Sequence, residues 1–198
     1  MAETPERPHR TGHAVLDFFI AGCAVVISFA SLWVALRADQ TQEELLKSSV
    51  WPYIQYYTSN ATATGGRHIL FEVRNAGVGP ALVRSVAVSY KGHYYATVHD
   101  LMLACCNVVP HHNMFTTTIL DTVIMAHDAI PMTTILPGKI DAASYGRIEA
   151  HRQQIKLQMC YCSVLGDCWF FDTARDGQQS PTEVGKHCPP AQQPQYET

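Results

Sequence analysis

The chain has 198 residues, a formal net charge of −3 and an isoelectric point near 6.3, so it lacks the basic face that neutralises nucleic-acid phosphates, and nucleic acid is not an expected partner. Charged residues are only 16% of the total, below the usual quarter of about 25%, which implies surface covered by lipid or by another protein.

Residues 1–13 read as a short polar tail. Residues 14–36, AVLDFFIAGCAVVISFASLWVAL, form an apolar run of 23 residues with one charge, Asp17. As a helix this run is about 34 Å long, enough to cross a hydrocarbon core of about 30 Å. It is longer than the apolar part of a secretory signal, and Leu36-Arg37-Ala38 is a poor cleavage site, so an uncleaved anchor is expected. Asp17 lies one turn inside the edge, where it can reach the headgroups or pair with His13 four residues earlier. Asp17, Ala21, Ala24, Ser28, Ser31 and Ala35 recur at spacings 4, 3, 4, 3, 4. Small residues at heptad spacing let two helix backbones approach in lipid, so this stripe is a candidate seam for a homo-oligomer. The positive-inside count is tied, with Arg7 and Arg10 before the run and Arg37 and Lys47 after it. The cysteines and the short leading tail favour a C-terminal domain outside the cytoplasm.

Residues 37–50 are polar and helix-permissive and read as a stalk that Pro52 ends. A β domain is expected over 51–174. Its strands are WPYIQYYT; GRHILFEVRN, with Ile69, Phe71 and Val73 on one face; and ALVRSVAVSY, with Val86, Val88 and Tyr90 on one face. The Asn75-Ala76-Gly77-Val78-Gly79-Pro80 loop joins the last two, and Lys91-Gly92 turns into HYYATV. Residues 98–140 are irregular in pattern, with a helical turn over 99–106 and a strand over 130–136. A short helix follows at 141–152, then two strands around Leu165-Gly166-Asp167. Alternating strands separated by Gly and Pro turns suggest a mainly β, sandwich-like (Ig-like) domain with one short helix. The Gln/Pro-rich tail, 175–198, is expected to be disordered, with Cys188 as its one tether.

Of seven cysteines, Cys23 lies in the apolar run, and Cys105, Cys106, Cys160, Cys162, Cys168 and Cys188 lie beyond it. Six is compatible with disulfides in an oxidising compartment, with buried thiols, or with a zinc or copper site. Cys160 and Cys162, two apart on a strand, point to one face. A tight turn at Leu165-Gly166 sends Cys168 to the other face, whereas a five-residue loop sets Cys162 opposite Cys168 and permits a bridge. Cys105 and Cys106 are neighbours, so each is expected to pack or bridge elsewhere. His99, His111 and His112 lie near them and read as surface loop histidines.

The segments SSVWPYIQ (48–55), Asn-x-Gly-x-Gly-Pro-Ala (75–81) and CYCSVLGDCW (160–169) resemble a group of uncharacterised bacterial single-pass membrane proteins, from the anchor to about Gly177. The resemblance implies a bacterial origin and the same anchor-plus-β layout and supplies no activity; the expected location is the bacterial inner membrane. No phosphate loop, nucleophile elbow, zinc-protease helix or dinucleotide fingerprint occurs. The expected role is therefore a non-catalytic interaction or assembly domain with the bilayer and another protein as partners and no cofactor. A metal-binding or thiol-redox domain built on the cysteine hairpin is the alternative.

Overall fold

A computed structural model describes residues 14–62, 66–110, 114–174 and 180–197. The chain divides into two units, residues up to Leu46 and residues from Lys47 onwards. The first is dominated by α1 (Ala14–Ser49), one unbroken helix of 36 residues. It is long and apolar enough to cross a membrane. The expected apolar run and stalk are thus one continuous helix, and it stops three residues before Pro52, whose ring and missing N–H a helix cannot accommodate.

The second unit is mainly β, with strands in two antiparallel sheets. The first sheet runs β1 (Ile54–Ala61), β2 (Arg67–Asn75), β7 (Ala129–Ile135), β5 (Met114–Thr116). The second runs β10 (Thr182–Gly185), β9 (Cys168–Asp172), β8 (Ile155–Cys162), β3 (Ala81–Tyr90), β4 (His93–Tyr95), with β6 (Val123–Ile124) also on β3. Period-two alternation buries Ile69, Phe71 and Val73 from β2 against Val86, Val88 and Tyr90 from β3 and Leu157, Met159 and Tyr161 from β8 in one core. The Tyr161 hydroxyl accepts from the Ile54 N–H at 3.2 Å, a polar link across that core. Burial pushes the Tyr161 phenol well above its ordinary range.

β3 carries a bulge. Its core residues run Ala81, Val83, then Val86, Val88, Tyr90, a break in parity. Val83 pairs with Tyr161 and Ser85 with Cys160, so Arg84 is the extra residue and the later positions return to the core face. Lys91 and Gly92 both have positive φ, 51° and 83°, giving the tight turn between β3 and β4.

Two short helices close the domain where one was expected. α2 (Val98–Cys106) starts at Thr97, whose hydroxyl accepts from the Asp100 N–H, and ends at Asn107 in the left-handed region. α3 (Ala142–His151) starts at Asp141, whose carboxylate accepts from the Ser144 N–H at 2.9 Å. Hydrogen bonds from Ser144 hold the Asp141 carboxyl below its usual range.

The Asn75 loop is a polar fastening inside this apolar frame. Asn75 is fully buried. Its Oδ1 accepts from the N–H groups of Tyr53 and Gly77, and its Nδ2 donates to the carbonyls of Gly79 and Ile124. The backbone of the loop pairs with residues 51–53: Ala76 donates to Tyr53, and Val78 and Gly79 donate to Trp51. A Cβ on Gly77 would collide with the Trp51 carbonyl, and one on Gly79 with the Val50 backbone. The approach is therefore open to glycine alone. WPYIQYYT is accordingly only part strand. Trp51 to Tyr53 lie against the loop, and β1 begins at Ile54.

Over residues 180–197 the tail corrects the expectation of disorder; residues 175–179 and 198 lie outside the described residues. β10 pairs with β9, and Tyr196 is 3% exposed within the core. The Tyr196 N–H donates to the Val86 carbonyl and the Glu197 N–H to the Ala96 carbonyl. The tail thus completes the β3 edge of the second sheet, and the β domain runs past residue 174.

Candidate functional site

On β8 the core takes Leu157, Met159 and Tyr161, so Gln158, Cys160 and Cys162 share the outer face, as their spacing implies. The turn to β9 is a five-residue loop, Ser163–Asp167, closed by the Ser163 N–H to the Asp167 carbonyl at 2.7 Å. Of the two geometries open to this hairpin, this is the one that sets Cys162 directly opposite Cys168. Their sulfurs stand at disulfide distance, as do those of Cys160 and Cys188. The two pairs touch, with 3.8 Å between Cys162 Sγ and Cys188 Sγ. Phe170 packs against the group. Cys160 and Cys168 are fully buried and Cys188 is half-buried. Beside them Lys186 Nζ pairs with the Asp167 carboxylate at 2.6 Å and reaches the Leu165 carbonyl.

From Cys188 the chain crosses the outer face of the second sheet to Gln195, whose Oε1 accepts from the Val86 N–H. Beneath it lies an open groove of about 430 Å³, floored by Ala87 and Phe170 and edged by Gln158, Asp172 and Gln193. The tail is therefore a strap held at one end by Cys160 and at the other by Tyr196. The Cys188 tether was legible in the sequence; the groove was not, because it exists only once strap and sheet are both placed.

Cys105 and Cys106 overturn an expectation. Their sulfurs lie at bonding distance from each other, not from a distant partner. The pair ends α2 next to left-handed Asn107 and is buried in the core. The Arg147 Nε donates to the Cys106 carbonyl at 2.7 Å, covering a helix end that has lost its intrahelical partners. His99 is exposed, and His111 and His112 lie outside the described residues.

In α1 the Ser28 hydroxyl donates to the Ala24 carbonyl one turn back, so this pair satisfies its polar atoms within the helix. Ala21, Ala24, Ser28, Ser31 and Ala35 share one helical face by their spacing and are exposed along it. Asp17 falls in the first turn, and His13, its suggested partner, lies outside the described residues.

A second surface feature was not anticipated. Three segments, residues 51–53, the loop over 77–79 and β6, meet through Asn75. On or next to them stand Trp51, Val78, Val123 and Met125, which are 44%, 54%, 51% and 58% exposed. Trp51 was read into the first strand, and Val78, Val123 and Met125 lie in segments too short to show periodicity, so no sequence pattern marked the group.

Comparison of the chain with protein-family models, with curated proteins and with solved structures finds no match.

Proposed function

We propose that the chain is a membrane-anchored, non-catalytic domain that binds or assembles with another protein, with the domain outside the cytoplasm of a bacterial cell. The observation that carries this reading is the group of exposed apolar side chains Trp51, Val78, Val123 and Met125. They stand on, or next to, three segments that the Asn75 hydrogen bonds tie together: residues 51–53, the loop over 77–79 and β6. Four exposed apolar groups on hydrogen-bonded segments offer a contact surface, and burying them against a partner would recover the free energy of their exposure. The apolar helix α1 supports the anchor, and the small-residue stripe from Ala21 to Ala35 supports self-association of that anchor. The three sulfur pairs at disulfide distance support an oxidising compartment.

The test uses the full chain in native membranes with a photo-crosslinking residue at Val78, at Met125 or, as control, at exposed Lys139. Val78 and Met125 are expected to give the same discrete protein adduct, and Lys139 none. Identical yields at all three positions, or adducts to lipid only, would reject a protein-binding role for this end of the domain.

A further inference from the structure

We infer that the four cysteines on the outer face of the second sheet form a second, reduced state of the domain in which Cys160, Cys162, Cys168 and Cys188 bind one zinc ion as thiolates. This goes beyond the interaction reading and rests on the cluster alone. Its test would stand whether or not Val78 and Met125 crosslink.

The geometry comes first. The sulfurs of Cys162, Cys168 and Cys188 all lie within 4.8 Å of one another. Cys160 joins them through its pairing with Cys188. A tetrahedral zinc with bonds of about 2.3 Å needs its sulfurs about 3.8 Å apart. Cys162 and Cys188, which belong to different pairs, already stand at 3.8 Å. Reaching the tetrahedral arrangement requires the two bonded pairs to open by side-chain rotation, while β8, β9 and the strap keep their places.

The surroundings fit a thiolate site. Phe170 shields the sulfurs, and the cluster is largely buried, which strengthens metal–thiolate attraction. The Lys186 ammonium neutralises the Asp167 carboxylate beside Cys168, so that carboxylate adds no net negative charge next to the thiolates. Thiolate sets of this kind select zinc and copper(I) over oxygen-seeking cations.

The chemistry balances with an external dithiol as reductant. Each protein disulfide accepts two electrons and two protons from one dithiol, which itself becomes a disulfide. The four thiols so formed release their protons as zinc binds. The oxidised state is a covalent strap anchor that holds no metal, and the reduced state keeps the strap anchored through the ion. The tail is therefore secured in either redox environment, by bonds in one and by coordination in the other.

The experiment takes the full chain in detergent, oxidised or reduced with a phosphine, and titrates it with zinc against a chromophoric chelator. Cobalt(II) serves as a spectroscopic probe. The reduced chain should take up one zinc and show a thiolate-to-cobalt charge-transfer band, and the oxidised chain should take up none. C162S should weaken uptake by about 100-fold or more, and the C105S/C106S double variant should leave it unchanged. No stoichiometric uptake by the reduced chain, equal uptake by the oxidised chain, or equal binding by C162S and the double variant would each overturn the inference.

Discussion

Two fastenings hold this β domain, and they work by opposite means. Around Asn75 a single buried carboxamide satisfies two donors and two acceptors, and the loop closes on residues 50–53 through glycines that leave no room for a Cβ. On the outer face of the second sheet, four cysteines fix a strap whose own residues are mostly exposed. The first is made of many weak, mutually dependent hydrogen bonds and takes no notice of the redox environment. The second changes its chemistry with that environment, and its covalent form requires oxidation. A polar fastening fails when any member is lost, because the others are left buried and unpaired, whereas a cross-link acts chiefly by limiting the unfolded chain.

The largest expected effect comes from breaking the polar fastening. Asn75→Ala leaves the N–H groups of Tyr53 and Gly77 without their buried acceptor, and should cost about 4 kcal/mol. Denaturant unfolding should show the same loss with and without reductant. A loss that appears only in reductant would mean that the two fastenings are coupled. Next in size is the strap. Cys160 and Cys188 are 28 residues apart, and closing a loop of that length contributes about 3.5 kcal/mol in the chain-entropy model. Cys188→Ser should lower Tm in oxidising buffer and match the wild type once both are reduced without metal. A difference that persists after reduction would assign the role of Cys188 to packing.

A smaller effect is expected in the anchor. Ala24→Leu or Ser28→Leu should weaken self-association by about 1 kcal/mol, a several-fold fall in dimer fraction measured by energy transfer in vesicles. Val25→Leu, off the stripe, should change nothing, and equal effects from all three would remove the stripe as a seam. The smallest is the cap of α3. Because hydrogen bonds lower the folded pKa of Asp141, its contribution is complete above the ordinary carboxylate range and is lost as pH falls through the lowered value. Asp141→Asn should slightly flatten the acid limb of thermal stability between neutral pH and about pH 2. An unchanged acid limb would mean that the cap does not respond to pH.

What was legible in the sequence follows from where the physical signal lay. β2, β7, β8 and α3 were marked by alternation or by helical pattern, because each buries one face, and α2 was read only as a helical turn over 99–106. The outward pair Cys160 and Cys162 followed from strand parity alone. β10 was invisible because all four of its residues are exposed, so no alternation exists to find. Tyr196 was hidden by composition: one buried aromatic residue stands in a run of Gln and Pro, and only its hydrogen bond to Val86 reveals its place. The partner of the Gly77 and Gly79 loop was likewise illegible, since close approach names glycine but not what approaches it. The Cys105–Cys106 pair escaped because neighbouring cysteines usually bridge elsewhere.

The proposed placement, a membrane-held domain outside the cytoplasm with its strap fixed through Cys188, is tested most directly by thiol labelling of the full chain in intact membranes. Membranes are treated with an alkylating reagent before and after reductant, then digested without reduction and read by mass spectrometry. Cys160–Cys188 and Cys162–Cys168 peptides should be recovered linked, with Cys188 unlabelled until reductant is added. Full labelling of Cys188 in unreduced membranes would contradict the claim.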